Sequence, residues 1–463
     1  EPFGRVVAEA LACGRPLVAT RGGGVGEIVG DGAAHVTTVG HGDPAALADA
    51  VAHLIDLSLA PPEVARARDR VVERFDVRGH VRAVEDLYDA LTRPSILHVG
   101  KFYPPSRGGM ETVVARLCAG TAKRWRVRAL VANERPRGVR ERIDGVEVVR
   151  TARVTQAGAL PVCPGLVWRL ARARDACVVV HEPNPLAVLA LALRPPACPF
   201  VLWHHADFLR PRWARPLYAW LRRRLVRAAA CVVVSNPTLA GAAYLREARR
   251  IEVIPFGIPL SAFADPDART VRRARELRAA RAAPLVLFVG RLVYYKGVDV
   301  LLDAMRDCRA RLALIGTGAE GDALRALARR LRVDDRVEFL GDLPAEELAA
   351  WYQAADVFVL PSTHATEAFG VVQVEAMASG VPVVSTDLPT GVPWVNQHGV
   401  TGLVVPPGDA GALAAALTCL LDDPQLRRKL GAAARRRALE EFAEARMIAR
   451  FDALLAEVCP DRP

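Results

Sequence analysis

Short apolar runs alternate with longer amphipathic segments along most of the chain. Residues 96–100, Ile-Leu-His-Val-Gly, have the pattern of a buried strand, and Gly108-Gly109 opens a helical segment over 110–121. Further strand patterns fall at 126–131, 146–150, 177–181, 200–203, 231–235 and 251–255, with Leu/Ala/Arg-rich helical stretches between several of them. Apolar runs of this length separated by helices predict a parallel sheet covered on both faces. A polar, Arg-rich stretch at 262–283 reads as a linker plus a helix. A second series of strand patterns lies at 285–290, 312–316, 337–340, 357–361 and 382–385. The expected fold class is α/β: two Rossmann-like domains, over 96–262 and 280–440, facing a cleft. The helix at 441–458 is a candidate to cross back onto the first domain.

Residues 1–93 repeat part of the later chain. Glu1-Pro2-Phe3-Gly4-Arg5-Val6-Val7-Ala8-Glu9-Ala10 recurs as Glu367-Ala368-Phe369-Gly370-Val371-Val372-Gln373-Val374-Glu375-Ala376. At the same offset Gly14 matches Gly380, Pro16 matches Pro382, and Gly42-Asp43 matches Gly408-Asp409. The period is far longer than that of a solenoid. The chain reads as the tail of one protein joined near Arg93-Pro94-Ser95 to a complete relative. Because residue 1 is Glu and a structural pattern starts at once, the first copy is expected to be truncated at its N-terminus. Strands are expected at 16–19 and 34–38.

Composition narrows the class. Hydrophobic residues make up 51% and charged residues 24% of the 463 positions, which excludes a disordered or fibrous chain. Apolar stretches such as 185–193 fall well short of the roughly 18 residues of a membrane span. The nine cysteines are scattered, with no Cys-x-x-Cys, as for buried thiols in a reducing compartment. The net charge of +11 is concentrated: residues 96–260 hold 27 Lys and Arg against 10 Asp and Glu. Within that region, 209–228 carries Trp213, Tyr218, Trp220 and Arg222-Arg223-Arg224. It suits either peripheral contact with an anionic membrane or a solvated helix face over core aromatics. No nucleic-acid recognition fold accompanies the charge, so nucleic acid is not expected as a partner.

Ligands of open parallel sheets sit at the carboxyl ends of the strands. The strand at 285–290 runs straight into Arg291 and then Lys296-Gly297, two cations suited to a diphosphate; two surface cations on a loop would look the same. Glu367 and Glu375 flank Phe369-Gly370, one at a strand end and one within the next helix. Carboxylates so placed suit polyol hydroxyls, and the amides at the helix start suit an anion. Acidic residues near a helix start are also favoured by the macrodipole alone. Gly316-Thr-Gly318-Ala-Glu-Gly321 is a formal dinucleotide fingerprint, and Glu338 lies about twenty residues on. It falls on the second strand of its domain, however, and Glu338 is inside a strand. Asp265-Pro266-Asp267 is a formal Asp-x-Asp in a linker with no strand before it, so no metal site is expected. His181 stands at a strand end and reads as a satisfied structural histidine. Trp203-His204-His205-Ala206-Asp207 is also at a strand end, where alternation lets only one of the two histidines face the cleft.

Arg291 with Lys296, Glu367 with Glu375, the Gly108-Gly109 loop and the Pro361-Ser362 strand end together resemble the family-4 retaining glycosyltransferases of GT-B fold. The resemblance covers essentially all of 96–463; residues 1–93 match only the last part of such an enzyme. Tyr103-Pro104-Pro105 and Gly391-Val392-Pro393-Trp394-Val395-Asn396 are similar to a bacterial mannosyl/rhamnosyl-transferase branch. The resemblance implies that Arg291 and Lys296 bind the donor pyrophosphate and Glu375 the nucleotide ribose. It implies that Glu367 and the amides around Phe369-Gly370 hold the donor sugar, with Gly108 and Gly109 approaching the phosphate from the other domain. Gly316 and Gly318 would line the nucleotide pocket, and His205 would face the donor sugar.

The expected function is metal-independent transfer of a hexose such as mannose, with retention, from a nucleotide-diphospho-sugar to a glycan or lipid-linked glycan at the cytoplasmic face. No cofactor is expected, since the nucleotide sugar is a substrate. The alternatives are a sugar-nucleotide epimerase of the same fold, an NAD-binding oxidoreductase using the Gly316 loop, and a non-catalytic binder.

Overall fold

The computed structural model describes residues 3–29, 36–56, 61–106, 109–157, 160–205 and 215–459. The chain divides into two compact units, Glu1–Arg93 and Pro94–Pro463.

In the first unit two parallel strands, Leu17–Thr20 and Val36–Val39, are accompanied by five helices among the described residues. Its core is small: Val7, Leu11, Val25, Ile28, Val29 and Val71. The repeat seen in the sequence is also a repeat of structure. Helix Arg5–Ala12 corresponds residue for residue to Val371–Ala378, and strand Leu17–Thr20 to Val383–Thr386. Asp43 caps helix Pro44–Ile55 by accepting from the Ala46 amide at 2.9 Å, and Asp409 caps Ala410–Asp422 through Ala412 at 2.8 Å. Capping of this kind fixes where a helix starts, and one cap contributes about 1 kcal/mol.

The second unit holds two sheets. The first has eight strands in the order Ile251–Val253, Cys231–Val234, Phe200–His204, Cys177–Glu182, Ser95–Val99, Arg126–Ala132, Val146–Thr151, Val139–Ile143. All neighbours pair in parallel except the last two, which are antiparallel. Alternation along Ser95–Val99 sends Leu97 and Val99 to one apolar layer and Ile96 to the other. Helices Pro164–Leu170, Pro185–Leu193 and Arg215–Ala228 supply residues to the layer of Leu97. The opposite layer includes Met447, Phe451, Leu454 and Leu455 of the last helix, Glu444–Val458. That helix returns from the second domain onto the first: Ile448 packs on Gly120, Phe451 lies 5.0 Å from Trp203, and the Trp125 indole donates to Asp452 at 3.1 Å.

The second sheet is fully parallel, in the order Val337–Gly341, Arg311–Ile315, Leu285–Val289, Val357–Leu360, Val383–Thr386, Gly402–Val405. Numbered within the domain this is 3-2-1-4-5-6, the doubly wound order whose direction of winding reverses between Leu285–Val289 and Val357–Leu360. Helix Ala268–Ala279 occupies the Arg-rich linker, and Asp267 caps it by accepting from Thr270 at 2.7 Å. Half of the formal Asp-x-Asp is therefore a helix cap. The sequence pattern had not disclosed strands Val139–Ile143 and Gly402–Val405 or the hairpin Thr155–Ala157 with Leu160–Val162.

Candidate active site

The chemistry-bearing residues of the second domain collect where the winding reverses. Loops leave Leu285–Val289 and Val357–Leu360 there, at the strand ends where doubly wound sheets bind their ligands. Lys296 comes from the first loop and Glu367 from the second, and their charged ends meet, Nζ to Oε2, at 2.5 Å. Each side chain is only 11% exposed, and the Ser362 hydroxyl donates to the same carboxylate oxygen at 3.1 Å. Two loops that the sequence treats separately thus form one ionic pair. Gly297 explains how they come so close. Its φ is 66°, and a Cβ there would run into the carbonyl oxygen of Pro361. The Thr363 amide donates to Tyr295 O at 2.9 Å and ties the loops a second time. Arg291 behaves differently: it is exposed and donates to the Tyr295 hydroxyl at 3.1 Å.

Gly370 stands at the N-cap of helix Val371–Ala378. Phe369 beside it is buried, packing edge-on against Phe256 of the first domain at 5.1 Å and Phe442 at 5.7 Å. Glu375, further along the helix, accepts from the Tyr352 hydroxyl at 2.7 Å. Burial pushes its carboxyl above the usual range, against the opposing pull of the Tyr352 hydrogen bond and of Arg116 on the first domain. Arg116 belongs to helix Gly109–Thr121, which begins at the exposed Gly109; Gly108 lies outside the described residues. The two domains also meet where Gly391 packs against the Asn236 side chain.

The dinucleotide reading of the Gly316 loop does not survive the geometry. A Cβ at Gly316 would strike the carbonyl of Gly290, and one at Gly318 the backbone of Leu292. The loop is pinned by Leu292 N to Thr317 O at 2.9 Å and by Glu320 N to Leu292 O at 3.0 Å. These glycines allow two strand-end loops to cross. Glu338, the candidate ribose acid of that reading, is held by Arg281 at 3.0 Å and Arg311 at 3.3 Å.

On the first domain the paired histidines separate by face. The His204 ring bonds the Tyr244 hydroxyl at 2.6 Å and lies 3.6 Å from Glu182. His205 points the other way. It stacks on Phe256 at 5.3 Å, and Phe256 in turn contacts Phe369 of the second domain. Its Nε2 lies 2.9 Å from Nδ1 of His181, whose Nε2 lies 3.0 Å from Nδ1 of His98. Burial lowers His205 and His98 to about 3 and His181 well below its ordinary value, so all three rings are neutral at pH 7. His98 was missed in the sequence, although a histidine inside the apolar run Ile96-Leu97-His98-Val99 was its signal. Tyr352 and Tyr244 were also missed, because each acts through a residue distant in the chain.

Two Rossmann-like domains, with the Lys296–Glu367 pair on the second and His205 linked to it through Phe256 and Phe369, have the architecture of the GT-B class of sugar transferases. Comparison with known proteins agrees. The model of glycosyl transferases group 1 matches residues 273–437, that of the glycosyl transferase 4-like domain matches 108–257, and a further group 1 model matches 1–57. The chain is similar to D-rhamnosyltransferase WbpZ of Pseudomonas aeruginosa, 31% identical over 357 residues, covering 75% of this chain and 92% of the relative. It is also similar to O-antigen chain mannosyltransferase C of Escherichia coli, 29% identical, covering 76% of this chain and 95% of the relative. Among solved structures, sucrose-phosphate synthase of Thermosynechococcus elongatus superposes with a TM-score of 0.65 at 27% identity, over 79% of this chain and 99% of that one. WaaG, a glycosyltransferase involved in lipopolysaccharide biosynthesis, gives 0.58 at 16% identity, over 79% and 100%. The chain belongs to the group 1 glycosyltransferase family. That membership displaces the oxidoreductase and epimerase alternatives.

Proposed function

We propose that residues 94–463 transfer a mannose-like hexose, with retention and without a metal, from a nucleotide-diphospho-sugar to a glycan or lipid-linked glycan. The observation that carries this reading is the Lys296–Glu367 pair at the winding reversal, flanked by Arg291 and the Phe369-Gly370 helix start. Arg291 and Lys296 would stabilise the diphosphate as its bond to the sugar breaks, the role a divalent ion would otherwise play. Glu367 and the helix-start amides would hold sugar hydroxyls, Glu375 the ribose, and His205 would orient the sugar from the other domain. The acceptor oxygen forms the new bond on the same face, and its proton leaves on the departing phosphate. The mannosyl- and rhamnosyl-transferases among the relatives support the choice of sugar. Product analysis with a panel of nucleotide sugars tests the reading, and a product of inverted anomeric configuration would refute retention. Arg291→Ala is expected to weaken donor binding by about 2–4 kcal/mol in calorimetry, since the diphosphate loses a charge-assisted hydrogen-bond donor. Unchanged affinity would remove Arg291 from the site.

Residues 1–93 have helix Arg5–Ala12 and Glu9 in common with the donor side, but no counterpart of the Arg291 and Lys296 loop. We read them as matching the last part of a second glycosyltransferase domain, not needed for transfer by residues 94–463. Deleting 1–93 is expected to leave transfer activity intact. A folded but inactive product would show that the segment takes part in catalysis.

Attachment to the inner face of an anionic membrane through the first domain is part of the same proposal, with altered residues. Trp213 lies outside the described residues. Tyr218 is a core aromatic, as one of the two expectations had it: it is buried and donates to Glu182 at 3.1 Å. Arg222 is buried over the Tyr244 ring, and Arg223 and Arg227 both pair with Glu247. Among the described residues, the exposed apolar side chains include Leu217, Trp220, Leu193 and Trp168. Sedimentation with anionic vesicles is expected to fall as salt rises and to weaken in Trp220→Ala. Equal binding to neutral vesicles would refute an electrostatic attachment.

A further inference from the structure

Three imidazoles stand in a row across three adjacent strands of the first sheet. His98 is on Ser95–Val99, His181 on Cys177–Glu182, and His205 directly follows Phe200–His204. Ring nitrogens join them in sequence, His98 Nδ1 to His181 Nε2 at 3.0 Å and His181 Nδ1 to His205 Nε2 at 2.9 Å. All three are buried, with Phe451 against His98 and Phe256 against His205. The outermost nitrogens, His98 Nε2 and His205 Nδ1, have no partner among the described residues.

Counting protons leaves little freedom. A neutral imidazole carries one N–H and one lone pair. Each of the two bonds consumes one of each. His181 uses both nitrogens, so it donates in one bond and accepts in the other. Only two arrangements of the row then exist. In one, every N–H points toward His98, and His205 keeps a lone pair on Nδ1. In the other, every N–H points toward His205, whose Nδ1 then carries the proton. An isolated His205 would interchange these tautomers alone; in the row it changes only with its two neighbours.

We propose that His98 and His181 are positioning residues that set the tautomer of His205, and so decide whether it offers a sugar hydroxyl an acceptor or a donor. Its bearing on transfer rests on the proposed role of His205, whereas the coupling itself does not. A ligand hydroxyl bonded to Nδ1 selects one arrangement, and that choice is carried across two rings to Nε2 of His98. The second row member, His181, has both nitrogens satisfied as a structural histidine would, and it is this saturation that transmits the choice.

The test is long-range 15N–1H NMR on the full chain labelled with 15N-histidine, in which the two ring nitrogens of each tautomer differ widely in shift. Without ligand, the wild type is expected to show one common tautomer population across the three rings, because they change only together. His98→Phe keeps an aromatic ring beside Phe451 but removes the end of the row, and the tautomer population of His205 should then change. His98→Gln, which can both donate and accept, should restore the wild-type population. GDP-mannose, but not GDP, should move the His98 signals of the wild type. In turnover, His98→Phe is expected to lower kcat about tenfold with the donor KM within twofold, and His98→Gln to recover most of the loss. Unequal tautomer populations at the three rings of the wild type, or no change of the His205 tautomer in His98→Phe, overturns the proposal. If His98→Phe does not fold, the wild-type spectrum and His98→Gln still decide. If GDP-mannose fails to bind in calorimetry, the donor assignment fails while the ligand-free spectra still judge the coupling.

Discussion

Lys296→Ala is expected to lower kcat/KM for the nucleotide sugar by about 10³-fold, a loss of about 4 kcal/mol. Two consequences combine. The substitution removes a cation from the strand end where the donor diphosphate is proposed to lie. It also leaves Glu367 as an interior carboxylate whose remaining side-chain partner among the described residues is the Ser362 hydroxyl. Breaking one side of a buried pair typically costs about 3–5 kcal/mol, because the other charge stays behind. The paired variant Lys296→Met/Glu367→Gln separates the two consequences. It removes both charges at once, so its urea midpoint should lie close to that of the wild type while activity stays lost. Wild-type activity in Lys296→Ala would show that the pair is a structural tie between loops and nothing more.

Acid should unfold the first domain well before its carboxylates titrate. His98 and His205 are lowered from 6.5 to about 3, and His181 well below 6.5, in each case chiefly by burial. The unfolded chain takes up these protons near 6.5, and the folded one does not until about 3. Their contribution is complete above 6.5 and is lost as pH falls through that window. Each group contributes a slope of up to about 1.4 kcal/mol per pH unit, so three together remove on the order of 5 kcal/mol between pH 7 and 5. Glu375, raised by burial, acts in the opposite sense. Urea unfolding at a series of pH values should show the slope, and His98→Phe should reduce it by about a third. A midpoint that is flat from pH 7 to 5 would mean that these rings are hydrated or charged in the folded protein.

The two parallel sheets were legible because strands buried on both faces write continuous apolar runs into a sequence. Ser95–Val99, Cys177–Glu182 and Leu285–Val289 are of that kind, and the expected bounds lay within a residue or two of the observed ones. Val139–Ile143 was not, since it is an edge strand of mostly exposed polar residues that pairs antiparallel with Val146–Thr151. The same distinction applies to the site. Arg291 and Gly370 take their positions from local chain direction, at a strand end and a helix start. The pairing of Lys296 with Glu367 depends on strand order, which no local pattern contains.

The sequence alone determined the repeat, the two α/β series, the family resemblance and the residues from which a site could be drawn. Those properties are local or additive: periodicity, cap residues, turn glycines and short motifs act over a few positions. Tertiary structure alone decided which charges neutralise one another, which of two adjacent histidines stacks on Phe256, and that His98 and His181 stand in line with it. Each of these is a contact between strands distant in the chain. Its existence depends on the order in which strands join a sheet and on the face to which each side chain turns, and both are settled only when the whole sheet has packed.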